Sequence, residues 1–490
     1  MKLSEILTGL DWRCAAGRAD LDPDITGIAH DSHRVQPGNL FVCLTGRHAD
    51  GRAYIPDALN NGARAVLVER AWEAAAGETV VAVDDARKAL AVCCANWHGN
   101  PARELTLIGI TGTNGKTTTA FFLDSILGIA GAKTGLLGTV QNKIGDRVLP
   151  CRLTTPEPVE LHGLFREMVE AGAAYCTMEV SSHALDQDRV FGLEFAAGVF
   201  TNLSFEHLEY HADLDEYLAV KSRLFEQARY AVLNRDDASY HRLRRACRGP
   251  VLDYGFADGA LVRGEMLHGG PGAGLAVHYR GESVELHPAL PGRYNACNAL
   301  AAAAAALALG FDLPAVAAGV ARLRRIPGRF EEIEAGQPFR VIVDYAHTPD
   351  GLAQFLTAVR ESTEGRVVLI FGARGGRDRA KRPMMGSIAA RLTDYCYLTA
   401  DSPNDEPPDQ ILRDLELGFL SVKNEGYEVV PERKTAMKLA LEAARPRDAV
   451  VATGRGHETE YRVGGEVYQL RDGEAFRELL GRMAFMASKR

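Results

Sequence analysis

Short apolar runs alternate with amphipathic stretches along nearly the whole chain. Leu40 to Leu44 and Ala63 to Val68 read as strands, and Ala86 to His98 carries a helical pattern that the breaker cluster Gly99-Asn100-Pro101 ends. Leu105 to Ile110 is an apolar strand that runs through a glycine turn into a helical stretch, Thr117 to Ile129. Tyr175 to Val180, Ala196 to Phe200 and Tyr230 to Leu233 repeat the strand pattern, with helical stretches between them. Residues 250–290, glycine-rich with short alternations, read as a β-rich insertion. The alternation resumes with Val341 to Val343, Val367 to Phe371, Tyr395 to Leu398 and Ala449 to Ala452. Strands alternating with helices predict parallel sheets covered on both faces. The breaks near residues 98 and 326 predict three α/β domains: 1–98, 99–326 and 327–490.

At 490 residues the length agrees with about three domains at roughly 150 residues each. Lys and Arg number 56 against 64 Asp and Glu, so the net charge of −8 leaves no surplus for a phosphate backbone, and nucleic acid is excluded as a general partner. No stretch approaches the roughly 20 apolar residues of a membrane span. The nearest, Ala299 to Leu309, is mostly alanine and reads as a small-residue helix packed tightly in a core. Glu5 and Asp11 interrupt any secretory pattern. Nine scattered cysteines without C-x-x-C spacing fit free thiols in a reducing cytoplasm.

The sharpest chemistry is Gly109-Ile110-Thr111-Gly112-Thr113-Asn114-Gly115-Lys116-Thr117-Thr118-Thr119. A glycine turn between strand and helix lets backbone N–H groups close around phosphate oxygens, with the helix N-terminus adding partial positive charge. Lys116 would reach the β- and γ-phosphates and Thr117 would bind Mg²⁺. Ile110 stands where the usual phosphate-loop pattern has its first glycine. The loop predicts a nucleotide site but leaves kinase, ATPase motor and ligase open.

Further segments narrow the choice. Met178 to Leu185 reads M-E-V-S-S-H-A-L, followed by Gln187 and Arg189-Val190. Phe200 to Ser204 reads F-T-N-L-S and leads to His207 and Glu209-Tyr210-His211, with Tyr217 and Lys221 to Phe225 beyond. Pro291 to Asn295 with Asn298, Pro327 to Glu331, and Asp344 to Asp350 (D-Y-A-H-T-P-D) follow in order. Together with GTNGKTTT these resemble the Mur ligase family, although Glu206 and Glu209 stand in place of aspartates. Asp31 to Val35, Pro37-Gly38 and Asp50-Gly51 near the start resemble its MurE type. So do Arg377-Asp378-Arg379, Lys381-Arg382-Pro383 and Gly454 to Glu458 near the end.

The resemblance implies a three-domain Mur ligase architecture. It comprises an N-terminal UDP-sugar-binding α/β domain, a central P-loop ATPase-like parallel sheet and a C-terminal Rossmann-like α/β domain. It implies ATP, two Mg²⁺ ions, UDP-N-acetylmuramoyl-L-alanyl-D-glutamate and an amino acid, joined through an acyl phosphate in peptidoglycan synthesis by a monomer. Gly112, Thr113, Asn114, Gly115, Lys116, Thr117 and Thr118 would cradle the nucleotide. Asn298 would contact adenine, Asp344 the ribose or the hinge, and Arg329 the hinge or nucleotide. Thr117 and Glu179 would hold one metal, His207 and a carbamylated Lys221 the other, and His347 would stabilise charge during amine attack. Thr154, Thr155, Ser182, Gln187 and Arg189 would grip the muramoyl peptide, with Ser32 near the uracil.

For the amino acid, the resemblance implies Arg377, Asp401, Ser402, Asn404, Gly454 and Glu458. Here the chain departs from the family pattern. Enzymes selecting meso-diaminopimelate carry D-N-P-R, whereas this chain has Asp401-Ser402-Pro403-Asn404 followed by Asp405-Glu406. Asn404 cannot make the charged fork of an arginine, and the two acids would favour a distal ammonium such as that of L-lysine. Ala373-Arg374-Gly375-Gly376 replaces C-G-G-D, so Arg374 could reach a carboxylate from another direction, and Arg471-Asp472-Gly473 replaces D-D-R. L-Lysine, meso-diaminopimelate and an unusual amino acid all stay open. The alternatives are a Mur-like ligase with a non-wall acceptor and a non-catalytic nucleotide-binding descendant.

Overall fold

The computed structural model describes residues 1–16, 22–46, 50–69, 79–206, 210–267 and 274–487. Among the described residues three large sheets follow one another along the chain, with a two-stranded hairpin, Glu460–Val463 and Glu466–Gln469, after the third. The first places Val80–Val83, Ala65–Val68, Leu40–Val42 and Ile28–Ala29 side by side in parallel, with Trp12–Ala16 antiparallel on one edge. Its alternate residues feed two separate cores: Leu40, Val42, Leu67 and Val81 on one face, Phe41, Val66, Val68 and Val80 on the other. That double burial is why these strands read as unbroken apolar runs instead of alternating ones. The helix Ala86–Trp97, capped by the Asp85 carboxylate on the amides of Arg87 and Lys88, covers the first face.

The second sheet has eleven strands among the described residues. Thr106–Thr111 lies near its centre, between Phe195–Phe200 and Ala173–Glu179, all parallel. Lys133–Leu137, Ala228–Asn234, Val251–Gly255 and Val262–Met266 extend the parallel part. Both edges are antiparallel: Leu275–Tyr279 and Glu282–Leu286 on one side, Asn142–Ile144 and Arg147–Leu149 on the other. The stretch expected as an insertion therefore lengthens the sheet instead of standing apart. The backbone groups of each outer strand find partners on the next hairpin, so the edge is extended until a short strand ends it. The alanine-rich helix Arg293–Ala308 is buried against the helix Lys116–Leu127, as small side chains permit.

The third sheet runs Glu331–Glu332, Arg340–Val343, Ala449–Ala452, Val367–Phe371, Tyr395–Leu398, Tyr427–Val429, parallel except for the first. Ala449–Ala452 separates Arg340–Val343 from Val367–Phe371. The loops leaving these neighbours diverge, which opens a crevice at the carboxyl ends of the strands. Those ends face the carboxyl ends of the second sheet across a common cavity. Among the described residues no helix is long and apolar enough to cross a membrane, and Cys43, Cys93, Cys94, Cys151, Cys176, Cys247, Cys297 and Cys396 are free thiols.

Candidate functional site

The phosphate loop and Asp344 follow the carboxyl ends of strands, whereas Asn298 sits in the helix Arg293–Ala308 and Arg329 in the segment before Glu331–Glu332. Thr106–Thr111 leads into the phosphate loop, Lys133–Leu137 into Thr139, and Ala173–Glu179 ends on Glu179 itself. From the third sheet, Arg340–Val343 leads to Asp344 through Thr348, Val367–Phe371 to Arg374, Tyr395–Leu398 to Asp401, and Ala449–Ala452 to Gly454 through Glu458. These loops line one cavity of about 1080 Å³.

The phosphate loop is held by backbone and by Asn202. The amide of Thr113 donates to the Asn202 carbonyl at 2.9 Å, and that of Asn114 donates to Asn202 Oδ1 at 2.9 Å. Gly112 and Gly115 sit at φ 146° and 87°. A Cβ at Gly115 would stand 2.3 Å from Asn298 Oδ1, so only glycine admits the approach of Asn298. The helix Lys116–Leu127 then begins with no side-chain cap, leaving its first amides for an anion. Lys116 Nζ rests on the carbonyls of Gly112 (2.8 Å) and Thr113 (2.9 Å), and burial lowers its ammonium below the usual range.

Beside it, Thr117 Oγ1 donates to Glu179 Oε2 at 3.1 Å. Thr139 fixes the same carboxylate through its amide (2.8 Å to Oε1) and hydroxyl (2.9 Å to Oε2). Lys221, 1% exposed, donates to the Gly112 carbonyl at 3.0 Å and lies over the Tyr217 ring. Burial, reinforced by the charge of Lys116, holds its ammonium far below the ordinary lysine value. Lys116 and Glu179 thus line one cavity, and Lys221 is buried behind its wall against the Gly112 carbonyl. His207 lies outside the described residues. Among the described residues no three metal-binding side chains cluster. The hydroxyl of Thr117 and the carboxylate of Glu179 are nevertheless hard oxygen donors side by side, which suits a Mg²⁺ ion completed by phosphate oxygens and water.

The third sheet closes on this loop through long-range contacts. Arg329 Nη2 donates to Thr117 Oγ1 at 3.1 Å, with its guanidinium over the Tyr345 ring at 4.4 Å. Asn114 Nδ2 donates to Asp350 Oδ2 at 3.3 Å. Lys381 Nζ pairs with Glu206 Oε1 at 3.1 Å, both groups buried. Asp344 accepts from the amides of Phe330 (2.7 Å) and Ala346 (2.8 Å), which places it at the hinge, and burial raises its pKa. His347 bonds the Tyr345 carbonyl through Nδ1 at 2.9 Å, so that nitrogen carries the proton and Nε2 is the acceptor. Burial and the charge of Lys381 hold it neutral.

Residues expected at the muramoyl peptide fall into two groups. Thr154 lines the cavity, its hydroxyl 3.0 Å from that of Thr139. Thr155, Gln187 and Arg189 form a chain outside the cavity wall: Arg189 donates to the Thr155 carbonyl (2.9 Å) and to Gln187 Oε1 (2.7 Å), and pairs with Glu157 (2.9 Å). Ser182 is buried, and Ser32 is buried in the turn Ser32–Arg34 of the first domain. Neighbouring His30 feels the charges of Glu157 and Arg189, which brings that turn up to the same chain.

On the amino-acid side, Arg377, Asp401, Gly454 and Glu458 line the cavity, whereas Ser402 and Asn404 do not. Asn404 Nδ2 donates to the Gly375 carbonyl at 3.0 Å, and its backbone is tied to Arg462 and Gly464. Glu406 is taken up by a bidentate pair with the buried Arg382 (2.7 Å to each oxygen) and Asp405 is exposed. The expectation that these two acids favour a distal ammonium therefore fails: one is already neutralised and the other faces solvent. Arg374 instead reaches Glu458, a contact the sequence offered only as an unusual arginine. Thr139, which clamps Glu179, carried no signal in the sequence.

Three family models match in order: "Mur ligase family, catalytic domain" over residues 24–98, "Mur ligase middle domain" over 110–306, and "Mur ligase, glutamate ligase domain" over 328–456. The UDP-N-acetylmuramoyl-L-alanyl-D-glutamate–2,6-diaminopimelate ligase of Caldanaerobacter subterraneus subsp. tengcongensis is 40% identical over 482 residues, covering 98% of this chain and 99% of the relative. That of Geobacillus kaustophilus is 41% identical, covering 96% and 98%. A solved ligase of the same name superposes with a TM-score of 0.69 at 29% identity over 99% of both chains. MurF ligase from Thermotoga maritima in complex with ADP shares the fold at 17% identity, with a TM-score of 0.62 and coverage of 93% and 98%. With three domain models matched in order and full-length relatives near 40% identity, this chain belongs to the Mur ligase family, MurE type.

Proposed function

We propose that the protein is an ATP-dependent ligase. It adds a diamino acid to the D-glutamyl carboxylate of UDP-N-acetylmuramoyl-L-alanyl-D-glutamate, the third-residue step of peptidoglycan synthesis. The observation that carries this reading is the single cavity shared by the phosphate loop, Glu179, Thr154 and the charged loops of the third sheet. We divide the chain as 1–98 for the UDP-muramoyl end, 99–326 for ATP and 327–490 for the amino acid, which puts one of the three large sheets in each part.

The acceptor carboxylate attacks the γ-phosphorus of ATP. An O–P bond forms, the bond to the β-phosphate oxygen breaks, and ADP leaves an acyl phosphate. The amine then attacks the carbonyl carbon, a C–N bond forms, phosphate departs and the nitrogen loses a proton. Both reactants of the first step are anions, so positioning and charge neutralisation dominate. Lys116 moves from the loop carbonyls onto phosphate, and the free amides of the helix N-terminus hold the same group. Arg329 couples closure of the third sheet to the nucleotide through Thr117. Mg²⁺ held by Thr117 and Glu179 would supply further charge neutralisation. A second ion would use His207 and a carbamylated Lys221, whose buried, readily neutral amine suits reaction with CO₂. His347, neutral with its proton on Nδ1, stabilises charge during amine attack. Gln187 and Arg189 with Ser182 and Thr155 hold the muramoyl peptide, Ser32 lies towards its uracil, and Asn298 contacts adenine.

The cavity is completed by one chain's own domains, so we take the monomer as the working unit. Dependence on ATP and the free thiols of the buried Cys43, Cys93, Cys94, Cys176 and Cys396 favour the cytoplasm. The test is phosphate release, with mass spectrometry of the product, from ATP, the UDP-muramoyl dipeptide and each amino acid in turn. A product heavier by one amino-acid residue supports the reading. ATP binding without turnover for every amino acid overturns it.

A further inference from the structure

We propose that Arg374 reads a carboxylate at the far end of the incoming amino acid, while Glu458 and Asp401 read the ammonium beside it. The substrate is then a diamino dicarboxylic acid and not L-lysine. This deepens the ligase reading above and rests on it.

Arg374 follows the strand Val367–Phe371 and lines the cavity. Both of its hydrogen bonds to Glu458 come from Nη2. A guanidinium has five N–H donors, so those on Nε and Nη1 have no partner among the described residues. Asp401 supplies an independent sign of a ligand. It is 3% exposed, its Oδ1 has no hydrogen-bond partner, and Arg455 Nη1 lies 4.0 Å from that oxygen. A buried carboxylate oxygen left without a donor is costly, and an incoming ammonium satisfies it. Arg455 cannot move to do so, because Nη2 is held by the carbonyls of Glu460 (3.2 Å) and Leu470 (2.7 Å).

Two carboxylates and one guanidinium on one wall are complementary to a group that carries both an ammonium and a carboxylate. Before the amino acid arrives, Arg374 and Glu458 satisfy each other. On binding, Glu458 turns to the ammonium and Arg374 to the carboxylate. L-Lysine brings only the ammonium, so its binding would strip Arg374 of its partner and give nothing back. The same pair that welcomes one substrate thereby rejects the other. The assignment also explains how the chain manages with asparagine at 404: the guanidinium has moved to another loop that opens on the same crevice.

The experiment measures steady-state phosphate release with meso-diaminopimelate and L-lysine for the wild type, Arg374→Ala, Arg374→Lys and Arg377→Ala. The wild type should prefer meso-diaminopimelate. Arg374→Ala should raise its KM about 10- to 100-fold with kcat changed less than about threefold, while use of L-lysine is unchanged or improved. Arg374→Lys, which keeps charge without the fork, should fall between. Arg377→Ala should affect both amino acids alike. A KM for meso-diaminopimelate unchanged in Arg374→Ala, an equal loss with both amino acids, or a wild type that prefers L-lysine overturns the assignment while leaving the ligase reading intact. A wild type inert with every amino acid overturns the ligase reading itself, and the assignment falls with it.

Discussion

The two walls of the cavity are built by different means. The phosphate wall is mostly backbone: two glycines in the left-handed region, carbonyls under Lys116 and uncapped amides at a helix N-terminus. The amino-acid wall is a network of charged side chains, Arg374 with Glu458, Arg382 with Glu406, Arg455 near Asp401. A backbone site depends on a fixed spacing of glycines, so its chemistry is tied to particular positions. A side-chain network depends only on where charges end up in space, so a guanidinium can change loops and still serve one ligand.

If that contrast holds, the largest loss should come from the phosphate wall. Lys116→Ala removes the one mobile ammonium on the loop and should cut phosphate release about 10²- to 10³-fold at saturating substrates, with little change in melting temperature. Buried Lys116 already carries a desolvation cost in the fold. A loss under about tenfold would mean that the loop amides neutralise the phosphates unaided.

A smaller loss should follow from separating the walls. Lys381 and Glu206 pair across the two sheets, 175 residues apart in sequence. Lys381→Met leaves Glu206 without its partner, but opening the interface lets water reach it, which limits the cost. The expected result is a fall of about tenfold in kcat/KM for every amino acid alike, from a change of about 1.4 kcal/mol in closure. A selective effect on one amino acid would instead place Lys381 in the specificity network.

The pH dependence tests the phosphate wall more gently. Burial and the charge of Lys116 depress the Lys221 ammonium well below the ordinary lysine value of 10.5. Between that depressed value and 10.5 the unfolded chain binds more protons than the folded one. Stability therefore rises with pH through that window, and it is lost as pH falls. Lys221→Met should flatten the rise in melting temperature between about pH 7 and about pH 10. An unchanged slope would show that Lys221 is neutralised in another way, such as by carbamylation.

Legibility in the sequence follows the same division. Strands such as Val367–Phe371 and Ala449–Ala452 were readable because both faces are buried and the apolar run is unbroken. The loop from Gly112 to Thr118 was readable because its residues are contiguous. Resemblance supplied Glu179, but nothing local indicated that Thr139 would clamp it. Arg329 on Thr117 and Lys381 on Glu206 join residues 212 and 175 positions apart that only the packing of one sheet against another brings together, and Arg374 meets Glu458, 84 positions on, because Val367–Phe371 and Ala449–Ala452 are neighbours in the third sheet. The acids at 405 and 406 misled for the same reason: Arg382, which neutralises Glu406, is 24 residues away on a different element.

The smallest effect is expected at Asn404, the position where sequence reading sought the amino-acid specificity. Its side chain donates to the Gly375 carbonyl at 3.0 Å, and its backbone sits at φ 54°, a conformation asparagine tolerates better than most residues. Asn404→Ala removes that hydrogen bond and adds strain in the left-handed region. It should cost about 1 to 2 kcal/mol of stability in thermal or urea unfolding. Since Asn404 is absent from the cavity wall, the KM for the amino acid should stay within about threefold of the wild type. A KM change as large as that of Arg374→Ala would mean that the guanidinium has not taken over the role. The two walls would then be equally bound to position, and the contrast between them would disappear.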